Sequence, residues 1–167
     1  MGYSWVYMGD GSVPSEARKR WLAESTDPLP YADTFNALDG FLIVEDEAAY
    51  DDLPVKEAFE ALAECTEVCR VETDGAVTVR ALADKSGDAW LTYRWNVAVA
   101  FASLAKHGGR GRLDVVGFDD GPDDGFRVEI ADGAVTARVL DEDEVRAVRE
   151  SDAYRQVLEL AEAAFSE

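Results

Sequence analysis

Residues 74–82, Asp-Gly-Ala-Val-Thr-Val-Arg-Ala-Leu, return at 132–140 as Asp-Gly-Ala-Val-Thr-Ala-Arg-Val-Leu. Each Asp-Gly lies between alternating apolar stretches, the strongest short-range signal for a β-hairpin. Cys69, Val71 and Thr73 share one face before the first turn, and Val77, Val79 and Ala81 continue it afterwards. In the second copy the corresponding sets are Phe126, Val128, Ile130 and Val135, Ala137, Val139.

A helix precedes each hairpin. Val55, Ala58, Phe59 and Leu62 stand at i, i+3, i+4 and i+7, and Val97, Ala100, Phe101 and Leu104 repeat the same types at the same spacing. The helices are offset by 42 residues and the hairpins by 58, so the second copy carries 16 extra residues. Those contain a further strand, Arg112–Phe118, and a turn, Asp119–Gly125. Agreement of two elements in one order reads as an internal duplication.

The rest of the chain is placed around these units. Aromatic-rich alternation over 3–8 gives a strand, and Pro14 with Val13, Ala17 and Trp21 gives a short helix over 14–23. Ser25–Asp39, with Pro28 and Pro30, reads as loop; Phe41–Val44 reads as strand; Asp46–Pro54 reads as an acidic turn. Trp90–Trp95 alternates and reads as a strand, with Asn96 capping the next helix and Gly108 or Gly109 stopping it. Asp141–Glu144 resembles a capping box, and Ser151 starts a last helix striped by Tyr154, Val157, Leu158, Ala161 and Phe165. The expected fold is a single α+β domain over 1–167, with a mainly antiparallel sheet of six to eight strands and helices packed on one face. It divides into an N-terminal segment 1–54, repeat-like units 55–95 and 96–140, and C-terminal helices 141–167.

Function must be sought in charge, because catalytic motifs fail one by one. The two cysteines, Cys65 and Cys69, have the wrong spacing for a redox pair and no partner pair for zinc. The single histidine, His107, sits where a helix ends and suits the negative end of its dipole. The loop Asp119–Gly125 is dense enough in oxygen ligands to suggest calcium. The EF-hand pattern nevertheless puts Pro122 at its third position and Ala131 at its twelfth, so no metal and no cofactor is expected. Gly109-Arg110-Gly111-Arg112 is basic and could touch a phosphate, but it reads as a helix-stop loop whose arginines balance nearby acids. The glycine-rich segments lack the Walker lysine and the dinucleotide spacing.

What remains is 35 Asp and Glu against 16 Lys and Arg, a net charge of −19. Such a surface repels nucleic acid and anionic membrane and attracts basic proteins. Val97–Ala102 is about the best apolar run, far short of the roughly 20 residues of a membrane span. The N-terminus lacks signal-peptide features, which points to the cytoplasm. The leading expectation is therefore a protein-binding or inhibitor protein of immunity-protein or DNA-mimic type. Its partner would be a basic protein, such as a nuclease-type toxin or a DNA-binding protein. The carboxylates expected to carry binding are Asp119, Asp120, Asp123 and Asp124, extended by Asp141, Glu142 and Asp143. Two alternatives stand beside it. One is a small enzyme built from Asp, Glu, Arg and Tyr, which a pocket at Arg70, Arg94 or Tyr93 would favour. The other is a salt-adapted module whose charge is spread evenly.

Overall fold

The N-terminal strand is the organising element. In the computed structural model, which describes residues 4–38, 53–66, 68–83, 89–118 and 123–166, strand β1 runs Trp5–Ser12. Trp5, Val6, Tyr7 and Met8 are all buried. Since successive strand residues face opposite ways, both faces of β1 must be covered.

They are covered by different helices. One face carries α1 (Arg18–Leu22), α2 (Ala32–Phe35), α3 (Val55–Cys65) and α4 (Ala89–Ala102), packed on Trp5 and Tyr7. Its centre is a run of rings: Trp21 to Phe59 at 5.9 Å and Phe59 to Phe101 at 6.3 Å. Trp21 is fully buried, and its indole N–H donates to the Ala100 carbonyl and Ser103 Oγ, both at 3.1 Å. The other face carries α5 (Glu142–Arg149) and α6 (Asp152–Phe165), whose Val145, Val148, Tyr154 and Val157 pack on Val6, Met8 and Val116. The α+β class is as expected. The helices lie on both faces rather than one, because the even-numbered residues of β1 are apolar as well as the odd ones.

The sheet has six strands among the described residues, in the order β2-β3-β1-β4-β5-β6, every pair antiparallel. Strands β2 (Val68–Glu72) and β3 (Ala76–Ala83) form one hairpin, and β5 (Gly125–Ala131) and β6 (Ala134–Val139) the other. Both expected Asp-Gly turns close hairpins. In the second, Asp132 and Gly133 have φ of 53° and 76° between the paired Ala131 and Ala134. Two central residues with positive φ are what a tight two-residue hairpin requires. The expected strand after residue 112 is β4, Arg110–Gly117, inserted between β1 and the second hairpin.

Three local expectations change. Trp90–Trp95 is helical, the first part of α4, and Asn96 lies inside that helix rather than capping it. Residues 97–104 are buried on every side, so the spacing of Val97, Ala100, Phe101 and Leu104 marks the helix but not a single buried face. Ser25–Asp39, read as loop, contains 3-10 turns at Leu29–Tyr31 and Asn36–Leu38 around α2, started by Pro28 and Pro30. Helix α1 is shorter than 14–23, preceded by a turn closed from Ala17 N–H to the Pro14 carbonyl at 2.9 Å. The strand expected at 41–44 and most of the acidic turn 46–54 lie outside the described residues.

The C-terminal boundaries follow the sequence closely. Asp141 accepts from Glu144 N–H at 2.8 Å while Glu144 accepts from Asp141 N–H at 3.2 Å, a complete capping box. Ser151 caps α6, and the stripe Tyr154, Val157, Ala161 is buried, whereas Phe165 is exposed.

Candidate functional site

Strand register joins the two acidic segments. Phe126 pairs with Val139, and Leu140 N–H donates to the Gly125 carbonyl at 2.8 Å. Asp124 and Asp141 are the next residues outward on the two strands. Asp123, Asp124, Asp141, Glu142 and Asp143 are therefore neighbours at one end of the molecule, and all five are exposed. Asp119 and Asp120 lie outside the described residues.

Not all of this charge is free to face a partner. Asp123 pairs with Arg149, whose guanidinium also donates to the Gly117 carbonyl at 2.8 and 3.1 Å. Arg146 reaches back to Glu142 and Asp143. Asp141 is engaged in the capping box. Asp124 makes no ion pair among the described residues, and the Asp143 side chain is 90% exposed. Exposed carboxylates also occupy α3 (Glu57, Glu60, Glu64) and α6 (Glu159, Glu162), so the acidity is not confined to this end. Among the described residues no group of three or more His, Cys, Asp or Glu could hold a metal.

A second feature lies at the far end of β5. Helices α5 and α6 cover only the sheet rows around Val6, Met8 and Val116. Where the sheet extends beyond them, an open groove of about 1020 Å³ forms between the α5–α6 turn and the ends of β1, β4 and β5. Met8, Asp10, Arg112, Asp114 and Arg127 on its floor belong to a ladder of charges that runs on across the sheet. Arg80, Met8, Asp114, Arg127 and Arg138 stand side by side across five strands, and Asp10, Arg112 and Glu129 form the next row. Asp114, with a side chain 6% exposed, accepts from Arg127 Nε at 2.6 Å and forms an ion pair with Arg112, whose Nε lies 3.3 Å away. Arg80 donates to both oxygens of Asp10 at 2.9 and 3.1 Å, to Gln156 at 2.8 Å and to the Gly9 and Val79 carbonyls. Hydrogen bonding to Asp114 holds the Arg127 guanidinium above its ordinary value.

This groove was not anticipated from sequence. In sequence Gly109–Arg112 reads as a loop, but Arg110 and Arg112 begin strand β4. Only Arg112 balances an acid as expected; Arg110 makes no ion pair among the described residues. The one usable signal was that basic run. Arg70 is exposed on β2, and the side chains of Tyr93 and Arg94 are not described.

The remaining candidates are structural. His107 Nε2 meets Glu24 at 2.9 Å, Lys106 meets the same carboxylate at 3.5 Å, and Lys106 also lies over the Tyr31 ring at 5.4 Å. Burial raises the Tyr31 phenol above its ordinary value despite Lys106. Burial likewise pushes the free Cys69 thiol up, away from the reactive thiolate. No helix among the described residues is long and apolar enough to cross a membrane. Comparison with protein-family models, curated proteins and solved structures finds no match.

Proposed function

We propose that this chain is an acidic protein-binding or inhibitor protein of the immunity-protein or DNA-mimic type, which neutralises a basic partner through the carboxylates of its α5 end. The observation that supports this is the register placing Asp124 beside Asp141. Two acidic segments at the two ends of one hairpin become one surface. Exposed carboxylates at that density stand in for phosphates towards a partner's basic site, and complementary charge speeds association. The partner is a basic protein, with a nuclease-type toxin or DNA-binding protein as its chemical type; the surface does not suit nucleic acid itself.

The variants for testing must avoid the carboxylates that hold the fold. Reversing Asp141 breaks the cap, and reversing Asp123 frees Arg149. The informative variant is Asp124→Lys with Asp143→Lys. Tagged wild type, exposed to host lysate at about 0.15 M salt, should retain one basic protein and release it near 0.5 M. The double variant should lose that protein while keeping its melting temperature within a few degrees. Retention by the variant, or release that ignores salt, would overturn the proposal.

A further inference from the structure

We propose that the groove beside the α5–α6 turn binds a phosphate-bearing small molecule, its phosphate held by Arg110 and Arg112 and its body laid along α5. Three observations carry this, and none uses the carboxylates Asp123, Asp124, Asp141, Glu142 or Asp143.

The first is the local charge balance. Arg80 holds Asp10, Arg127 and Arg112 hold Asp114, and Arg138 holds Glu144. Glu129 faces Arg112 across the ladder, and Asp132 sits on the rim at the hairpin turn. In a chain where acids outnumber bases 35 to 16, this region sets Arg80, Arg110, Arg112, Arg127 and Arg138 against as many carboxylates. The groove's own lining, Arg110, Arg112 and Arg127 against Asp10, Asp114, Asp132 and Glu144, is close to balanced within a strongly negative surface, so an anion can approach it.

The second is which donors are left over. The buried carboxylate Asp114 is gripped by Arg127, and Arg112 makes only an ion pair with it, Nε at 3.3 Å, without donating a hydrogen bond. Both terminal nitrogens of Arg112 and the whole fork of Arg110 are unspent among the described residues. Arg110 and Arg112 alternate with Gly111 on β4, so they project from one face about 7 Å apart. Ser12 stands directly across from Arg110. Two forks at that spacing suit the oxygens of a phosphate or diphosphate, which arginine binds through paired N–H bonds.

The third is the shape. Ala147 and Val148 on α5, with Met8 and Ala153, give the groove an apolar wall beside the two arginines. Its volume of about 1020 Å³ is at the upper end of small-molecule sites. Inorganic phosphate alone would leave most of that wall unused.

The test is calorimetric titration of the whole chain with ADP, with inorganic pyrophosphate and with adenosine. ADP should bind with a dissociation constant below about 1 mM, more tightly than pyrophosphate, and adenosine should not bind measurably. Arg110→Gln and Arg112→Gln should each weaken ADP by about tenfold or more. Arg110 contacts no acid among the described residues, so Arg110→Gln leaves the fold undisturbed, which its thermal melt will verify. The Asp124→Lys/Asp143→Lys variant should bind ADP like the wild type, which separates this site from the acidic end. Absence of ADP binding, pyrophosphate matching ADP, binding by adenosine, or unchanged affinity in the arginine variants would each overturn the proposal.

Discussion

Arg80 and Asp114 flank Met8 from opposite sides, one paired with it across β1–β3 and the other across β1–β4. Their side chains are 7% and 6% exposed, yet they do not neutralise each other. Each has its countercharge on its outer side: Asp10 for Arg80, Arg127 and Arg112 for Asp114.

These two ion pairs should respond differently to truncation. Asp114→Ala leaves Arg127, itself 15% exposed, without its carboxylate, and should cost about 3 kcal/mol. Asp10 is 61% exposed, and Arg80 keeps Gln156 and two carbonyls when it is gone. Asp10→Ala should therefore cost about 1 kcal/mol or less. Urea denaturation of the two variants decides the matter, and equal costs would contradict this account.

Gly9 and Phe101 form a second testable contact. A Cβ on Gly9 would stand 2.2 Å from Phe101 Cζ, so the ring occupies the space a side chain would need. Gly9→Ala should destabilise by about 1–3 kcal/mol through overpacking. Phe101→Leu alone should also destabilise, by about 1–2 kcal/mol, through the volume it removes. Combined, they should cost clearly less than their sum, since each relieves the other. Additive costs in a double-mutant cycle would show that the ring does not fill this gap.

Acid should remove the stability that one surface interaction contributes, at a pH below the ordinary carboxylate range. The Arg138 guanidinium, followed by the Asp141 N–H, holds Glu144 below its ordinary value of 4.5. A lowered folded-state value favours the ionised form in the native state. The resulting stability is complete above about 4.5 and disappears as pH falls through the lower, folded value. The urea midpoints of wild type and Glu144→Gln should thus differ at neutral pH and converge on acidification. A gap that stays constant or widens in acid would be inconsistent with this pairing.

The parts of the fold that sequence conveyed are those with a local cause. Asp132-Gly133 had to turn, Asp141 had to cap, and Ser151 had to restart a helix, each through backbone groups within a few residues. Trp90–Trp95 misled because aromatic and β-branched residues at alternate positions mimic a strand. A 14-residue stretch without a breaker is instead the length of a helix. The covering of both sheet faces was present in β1 itself, where Trp5-Val6-Tyr7-Met8 shows no polar alternation. A run apolar at every position marks a strand buried on two sides.

The site was legible only in pieces. Both acidic segments were visible as composition, but their adjacency depends on the pairing of Phe126 with Val139. The groove was less legible still. Asp10, Arg112, Asp114 and Arg127 come from three strands and meet only through register. The arginines near those acids looked like generic compensation, since no sequence spacing shows which carboxylates each guanidinium will hold.

Strand β1 precedes both of its sheet partners in the chain, and it ends in the middle of the sheet. Its neighbours come much later in the chain: Trp5 pairs with Ala83 on one side and Gly117 on the other. During synthesis one edge of this aromatic, apolar strand therefore has no partner until β3 is made, and the other has none until β4 is made. Contacts this distant in sequence slow folding, and an unpaired apolar strand is a template for association between nascent chains. Only pairing with both β3 and β4 takes those edges out of reach.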